Sequence, residues 1–336
     1  MRFRFEPTDA QVAELEAQLA RLREPAVALE ILRPTLAEGR GFDPTAVVCV
    51  LQRAHSDRFV LRVHLQSAGG EARDYALKVY ADDFGRHVWA YAQTLAQHIG
   101  SNHNGVCLPI RYVACERALI FPWVEGEAVT KIVDERKLEL LSQAARLAAD
   151  LHRLSIVPEP VTTARTLADQ ARFQCNCLPE RWPEAVPVVE PVLAAIEDAL
   201  PTLDPAAPAP VHGDLAAGQF VWTGDRLVLL DLDMFAYTDP AYDAGHFLGQ
   251  LERRYVSDPA LPGHAERWLA CFRDAYLTAM PHVSPRNIAF YQGLTLARKM
   301  YTVYRRQLPD WPRLVPRLAA RAQAALEAVV SPGRVS

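Results

Sequence analysis

The sequence predicts an α+β protein with two lobes, a small antiparallel β-sheet lobe followed by a larger, mainly helical lobe. Two observations support this fold class. Short runs rich in β-branched and aromatic residues, bounded by turn-forming residues, fill much of the chain before residue 126. Beyond that point, apolar residues recur at the three- and four-residue spacing of one helix face. We therefore expect one lobe at residues 1–125 and a second at residues 126–336.

The predicted first lobe begins with an amphipathic helix at residues 9–23, because apolar residues fall at helical spacing along it. Five strands and one further helix follow. Turn-forming residues separate the first three strands, so we expect an antiparallel meander that the last two strands complete. In chain order these elements are strands at 47–53, 59–66 and 74–80, a helix at 84–98, and strands at 106–114 and 117–126.

The predicted second lobe is dominated by helices. Residues 134–154 place leucine and alanine on one stripe, which is typical of a long core helix. A proline-rich loop at residues 200–210 leads to two short strands, at 219–222 and 226–232. Further helices should occupy most of residues 240–330.

The composition narrows the functional class. Half of the 336 residues are hydrophobic and 23% are charged, which is typical of a soluble globular protein with a sizeable core. A formal net charge of -4 leaves no basic excess to neutralise nucleic-acid phosphates, so we expect no nucleic-acid partner. The sequence shows neither the apolar run of a secretory signal nor a bilayer-spanning stretch, so we expect a cytoplasmic protein without a membrane partner.

Residues 211–245 contain three acidic motifs in a distinctive order. His212-Gly213-Asp214 comes first, and Asp231 follows directly after the apolar run LVLL. The pattern Asp-Pro-x-x-Asp, from Asp239 to Asp243, then opens the next predicted helix. The three motifs together resemble those of the aminoglycoside phosphotransferase and choline kinase family, which has a two-lobed protein-kinase-like fold.

The resemblance implies a role for each motif residue. Phosphoryl transfer needs a carboxylate to accept the hydroxyl proton, oxygen ligands for Mg²⁺ and a cation for the ATP phosphates. Asp214 is expected to be the catalytic base, with Asp231 as the principal Mg²⁺ ligand. Gln219 stands where the family has the asparagine ligand, and offers the same amide oxygen on a longer side chain. Asp239 is expected to cap the helix, and Asp243 to brace the catalytic loop.

The first lobe should supply the nucleotide contacts. Lys78 interrupts the apolar run YALKVY, where an unpaired charge would be unfavourable, and it matches the phosphate-binding lysine of the family. It is one of four lysines in the chain, Lys78, Lys131, Lys137 and Lys299. Residues 119–126 resemble the hinge between the lobes, so the resemblance implies that Phe121, Pro122 and Val124 contact ATP there. The adenine contacts would be the carbonyl of Pro122 and the N–H of Val124, and proline lacks only an N–H that this geometry does not use.

The activity that the resemblance implies is ATP- and Mg²⁺-dependent transfer of the γ-phosphate to a hydroxyl of a small molecule. Acidic residues gather just after the hinge and favour a cationic acceptor such as an amino sugar or amino alcohol, while a sugar is a further candidate. These residues are Glu125, Glu127, Asp134 and Glu135. His212 is expected to orient the catalytic loop, and His152 to be structural.

A second interpretation is a pseudokinase that binds nucleotide or a protein partner without turnover. Three departures from the family pattern favour it: Gln219 replaces asparagine, no glutamate lies between Glu71 and Glu116, and the first strand turn contains no glycine. Retention of both Asp214 and Asp231 favours the enzyme.

Overall fold

The computed structural model of the chain describes residues 6–38, 42–99, 105–258 and 260–330. The chain divides into two compact units, with the division between Gly126 and Glu127. The outermost residues of the two predicted lobes, 1–5 and 331–336, lie outside the described residues.

The N-terminal unit begins with two helices, α1 (Asp9–Leu22) and α2 (Pro25–Glu38). Thr8 and Gln11 form a capping box, in which each side chain binds the backbone N–H of the other, and this fixes the start of α1 close to its predicted position. Helix α2 was not predicted. Pro34 lies inside it, and an interior proline normally argues against a helix.

A five-stranded antiparallel sheet follows, as predicted. The spatial order is β1-β2-β3-β5-β4, so β5 pairs with both β3 and β4. The last two strands are shorter than expected: Pro109, which cannot donate a ladder hydrogen bond, precedes the fourth strand, and the fifth ends at Pro122. The strands are β1 (Pro44–Ala54), β2 (Arg58–Ser67), β3 (Ala72–Tyr80), β4 (Arg111–Val113) and β5 (Ala118–Pro122).

Both faces of this sheet are covered by helices. Alternate residues of β2 and β3, such as Leu61 and Leu77, pack against apolar side chains of α1 and α2. The opposite face carries Tyr80 and Leu119, which pack against Val88 of helix α3 (Phe84–Ile99). Helix α3 thus confirms the single helix predicted between the third and fourth strands.

The C-terminal unit contains seven helices within its described residues and two small sheets. One sheet has the order β6-β8-β9 and the other pairs β7 with β10. The helix predicted at 134–154, the two short strands and the helical region 240–330 are all confirmed. The helices are α4 (Arg136–His152), α5 (Ala164–Asn176), α6 (Val186–Ala199), α7 (Ala241–Ser257), α8 (Pro262–Ala279), α9 (Pro285–Arg305) and α10 (Trp311–Val330); the strands are β6 (Glu127–Ala128), β7 (Ala209–Val211), β8 (Phe220–Trp222), β9 (Leu227–Leu229) and β10 (Ala236–Thr238).

Helices α7 and α9 approach closely because α7 presents glycine to α9. A Cβ added to Gly245 would lie 2.5 Å from the carbonyl oxygen of Ile288, and one added to Gly249 would lie 2.7 Å from Cβ of Thr295. Later residues of α7 therefore meet later residues of α9, and the two helices run side by side in the same direction. Among the described residues, no helix is both long and apolar enough to cross a membrane.

Candidate active site

The loop between β7 and β8 carries His212-Gly213-Asp214. Gly213 has a φ of 82°, in the left-handed region that favours glycine. A Cβ at this position would overlap the backbone carbonyl oxygen of Met234. The loop therefore crosses the Met234 backbone at a distance that only glycine permits.

Asp243 in the first turn of α7 braces this loop, which confirms the prediction for it. Its carboxylate accepts hydrogen bonds from the backbone N–H of His212 (2.6 Å) and of Gly213 (2.9 Å), and a third contact joins it to Nε2 of His152 (3.0 Å). Burial opposes ionisation of Asp243, but the contact with His152 and the backbone donors outweigh it and lower its pKa. The loop is thus held by a buried carboxylate that stays ionised.

The two histidines have the orienting and structural roles predicted for them. Nε2 of His212 lies 2.9 Å from the carbonyl oxygen of Leu230, and its Nδ1 accepts the N–H of Asp214. His212 thereby ties the catalytic loop to the end of β9. His152 is fully buried between the Tyr276 hydroxyl (2.8 Å) and Asp243.

Solvent reaches Asp214, since 44% of its side chain is exposed. Its surroundings, which include Asp231, His246 and Lys299, are termed the recess. Oδ1 of Asp214 lies 3.0 Å from Nε2 of His246, on α7. Burial raises the pKa of Asp214, but the hydrogen bond from His246 and the ammonium group of Lys299 outweigh this and hold the pKa below its ordinary value. The carboxylate of Asp231 is close enough to act on Asp214 as well, and its negative charge acts to raise the pKa of Asp214. The recess therefore holds an ionised, accessible carboxylate near a second one.

Asp231 and Gln219 come together at one end of the β8–β9 ladder. The carbonyl oxygen of Gln219 accepts the N–H of Leu230 (2.8 Å), and Asp231 is the next residue. Asp231 has left-handed backbone angles (φ 68°, ψ 66°), which are uncommon for a residue other than glycine and typical of functional sites. The structure thus brings the two predicted Mg²⁺ ligands to neighbouring positions.

Asp239 lies at the start of α7. One carboxylate oxygen accepts the N–H of Ala241 (2.9 Å), and the other accepts from Nδ2 of Asn287 (2.8 Å). Burial raises the pKa of Asp239 despite these donors. Asp239 thus binds the first backbone N–H of α7, as predicted for a capping residue, although the N-cap position itself is Pro240.

In the N-terminal unit, Lys78 is a buried residue of β3, with 8% of its surface exposed. It pairs with Leu119 across the sheet, and strand alternation puts it on the face that α3 covers. Its ammonium lies 5.6 Å from the centre of the Tyr80 ring. Helix α3 contains no carboxylate, as its sequence indicates.

The predicted hinge follows the end of β5, where Phe121 and Pro122 are the last two strand residues. The N–H of Trp123 donates to the carbonyl of Asp74 (3.0 Å) and extends the pairing with β3 by one residue. Within the described residues, the N–H of Val124 makes no hydrogen bond to another backbone group. A backbone donor is therefore available directly after the strand.

The acidic residues after the hinge are each paired with an arginine. Glu125 contacts Arg62 (2.9 Å) in the N-terminal unit. In the C-terminal unit Arg136 contacts both Asp134 (2.7 Å) and Glu127 (3.5 Å), and Glu135 lies 3.9 Å from Arg267. Each of the four carboxylates thus has an arginine partner, with Arg136 shared by two of them.

Sequence reasoning missed two groups beside Asp214, His246 and Lys299. His246 stands one helical turn after Asp243 on the buried side of α7, so an i, i+3 search from the motif aspartate could have indicated it. Lys299 is one of only four lysines in an arginine-rich chain, and this rarity could have indicated a functional role for it.

The fold and the recess together define a kinase-like phosphotransferase. Residues 39–291 match the model of the phosphotransferase enzyme family, and the chain belongs to that family. The match confirms the predicted family resemblance and the assignment to the small-molecule kinases, which use an alcohol group as acceptor. No curated protein matches the sequence.

Solved structures with the same fold include choline kinases and aminoglycoside phosphotransferases. A choline/ethanolamine kinase family protein from Mesorhizobium loti is 14% identical with a TM-score of 0.55, over 95% of this chain and 99% of that one. A choline kinase from Cryptosporidium parvum is 11% identical with a TM-score of 0.63, over 92% and 97%. An ADP-bound aminoglycoside phosphotransferase is 14% identical with a TM-score of 0.55, over 89% and 98%. The predicted two-lobed protein-kinase-like fold is confirmed.

Proposed function

We propose that this protein transfers the γ-phosphate of ATP to a hydroxyl group of a small molecule, with Asp214 as the catalytic base. The observation that carries the proposal is the setting of Asp214, an accessible carboxylate 3.0 Å from His246 on a loop whose backbone N–H groups bind Asp243. The acceptor oxygen attacks the γ-phosphorus, the bond to the bridging β-phosphate oxygen breaks, and the hydroxyl proton passes to Asp214. The products are the phosphorylated acceptor and ADP.

Asp231 and Gln219 are the proposed Mg²⁺ ligands. One carboxylate and one amide oxygen at the end of the same ladder suit this ion, which usually takes one or two carboxylates together with substrate phosphates. Within the described residues, no group of three His, Cys, Asp or Glu side chains forms a self-sufficient metal site, which fits an ion held jointly with a nucleotide. When bound, Mg²⁺ would neutralise charge on the β- and γ-phosphates.

The N-terminal lobe, residues 1–125, is proposed to bind ATP through Lys78, Phe121, Pro122 and Val124. The available N–H of Val124 supports the adenine contact, and the buried ammonium of Lys78 supports the phosphate contact. Related folds have been solved with ADP and with GDP bound. Residues 126–336 would then hold the catalytic and acceptor groups, and a cytoplasmic location stays a prediction.

The test compares Asp214→Asn with the wild-type protein and with Asp225→Asn. Asp225 is an exposed carboxylate on the β8–β9 turn, so its amide variant makes the same chemical change outside the recess. Loss of a general base should lower kcat for ADP formation by about 10²- to 10⁴-fold in Asp214→Asn alone. Thermal stabilisation by Mg²⁺-ATP should persist in all three proteins.

Two results would contradict the proposal. Equal turnover by Asp214→Asn and Asp225→Asn would exclude Asp214 as the base. Stabilisation of the wild-type protein by Mg²⁺-ATP without ADP formation, across aminoglycosides, amino alcohols, sugars and sugar acids, would favour the pseudokinase.

A further inference from the structure

The recess around Asp214 is lined by an excess of positive charge. Arg298 on α9, Arg253 on α7 and Arg306 just after α9 all act electrostatically on Lys299 of α9, and Arg306 also acts on Arg253. Asp214 is the one carboxylate among the described residues that acts noticeably on Lys299. Glu252, the neighbour of Arg253 in sequence, is engaged by Gln292 (2.6 Å) and Arg321. Lys299 therefore lies near three arginines and only one carboxylate that acts on it, Asp214.

The packing of α7 against α9 fixes these groups beside Asp214. His246 contacts Asp214 through Nε2 and the Thr295 hydroxyl (3.1 Å) through Nδ1. Lys299 follows Thr295 by one turn on the same face of α9, the face that His246 contacts, and it is close enough to Asp214 for the two charges to interact. Gln250, one turn after His246 on α7, lies 3.1 Å from Nε2 of His246 and borders the same space.

Two of these cations lack the partners that half-buried charges normally have. Lys299 makes no hydrogen bond or ion pair to the described residues, and burial lowers its pKa to about 8 even though Asp214 acts to raise it. Nε of Arg253 is buried and makes no hydrogen bond within the described chain. Arg298, by contrast, is held by the hydroxyl of Tyr242 (3.3 Å) and by Oε1 of Gln174 (3.2 Å). Partly buried cations without a counter-charge are unfavourable unless a ligand supplies one.

We infer that the acceptor carries an anionic group, a carboxylate or a phosphate, which Lys299 and Arg253 bind while its hydroxyl faces Asp214. This inference rests on the proposed function and defines its acceptor. It differs from the cationic acceptor that the acidic residues after the hinge suggested, because arginines already pair with those residues.

Four sugars with one carbon skeleton test the inference: glucose, glucosamine, gluconate and glucose 6-phosphate. Their binding is measured by calorimetry with the protein saturated with ADP and Mg²⁺, so that phosphate groups cannot occupy the nucleotide site. Gluconate and glucose 6-phosphate separate the two anionic sources. At least one of them should bind about tenfold or more tightly than glucose and glucosamine.

The variants Lys299→Met and Arg253→Met should each remove most of that preference and leave ADP affinity unchanged. Arg305→Gln is the matched control, since it removes a positive charge from an exposed position of α9. Removing an unpaired, half-buried cation should not unfold the protein, and thermal melting checks this.

The inference would be overturned if gluconate and glucose 6-phosphate bound no more tightly than glucose. It would also be overturned if none of the four sugars bound. An anion preference that survives both Lys299→Met and Arg253→Met would overturn it as well. Failure of ADP to bind would instead contradict the proposed function, and the sugar series without ADP would still report the charge preference of the recess.

Discussion

Replacing Asp243 with asparagine should destabilise the C-terminal unit strongly, because one carboxylate holds three groups. It accepts from the N–H of His212 and of Gly213 and contacts His152, all in a fully buried setting. The amide keeps one oxygen and turns an NH₂ group toward the remaining donors. With one or two buried donors left without an acceptor, we expect a loss of about 2–5 kcal/mol in the free energy of unfolding.

The effect of Asp243→Asn should depend on pH in a defined direction. Burial opposes ionisation of Asp243, but the contact with His152 and the backbone donors lower its folded-state pKa. The unfolded carboxyl protonates near its ordinary pKa of about 3.9, so the contribution of Asp243 is complete above that pH and is lost as pH falls through the folded-state value. The stability difference between wild type and Asp243→Asn should therefore narrow as the pH is lowered to about 3.

Urea denaturation followed by circular dichroism at several pH values measures both effects. Asp225→Asn is the control, because this exposed carboxylate interacts with the hydroxyl of Thr223 on a surface turn. A variant within about 0.5 kcal/mol of wild type at neutral pH would refute the bracing argument, since ordinary surface changes lie in that range. A difference that stays constant or widens toward low pH would refute the assigned direction of the pKa shift.

Two further substitutions probe the loop that carries Asp214 and one of the proposed Mg²⁺ ligands. Gly213→Ala should lower kcat by about a hundredfold, because the added Cβ would displace Asp214. The control is Gly224→Ala, which should have little effect on kcat, because Gly224 also has a positive φ (103°) but open space around the added Cβ. Similar kcat values for the two variants would contradict the overlap with Met234. Gln219→Asn should keep or raise kcat and keep the Mg²⁺ concentration for half-maximal rate within about threefold, because both residues present an amide oxygen. A large loss of rate in a Mg²⁺ titration would exclude Gln219 as a ligand.

The strands of the N-terminal sheet were predictable because each is an apolar run bounded by turn-forming residues. Where proline intervened, the prediction failed in a specific way. Helix α2 was not predicted because Pro34 lies inside it, although the rest of that segment favours a helix. The fourth strand is shorter than predicted, Arg111–Val113, because Pro109 precedes it. Local pattern thus gave the order of elements, and proline limited the accuracy of their bounds.

The site was predictable only as far as its motifs are local in sequence. Asp214, Asp231 and Asp243 fall within one short segment, and their order identified them. His246 and Lys299 act on Asp214 only because α7 and α9 pack through Gly245 and Gly249. The close approach of two helices depends on tertiary packing, which periodicity along either helix does not specify.

Helix α7 positions Asp214, the proposed catalytic base, through several of its side chains at once. The Asp243 carboxylate fixes the loop backbone, the Tyr242 hydroxyl contacts the carbonyl of Gly213 (3.4 Å), and one turn later the His246 imidazole holds the Asp214 carboxylate. Because these side chains leave one rigid helix, a displacement of α7 would move the loop and the base together. The glycine contact between α7 and α9 therefore also determines how far Asp214 lies from Lys299, and under the proposed function this distance would limit the size of the acceptor.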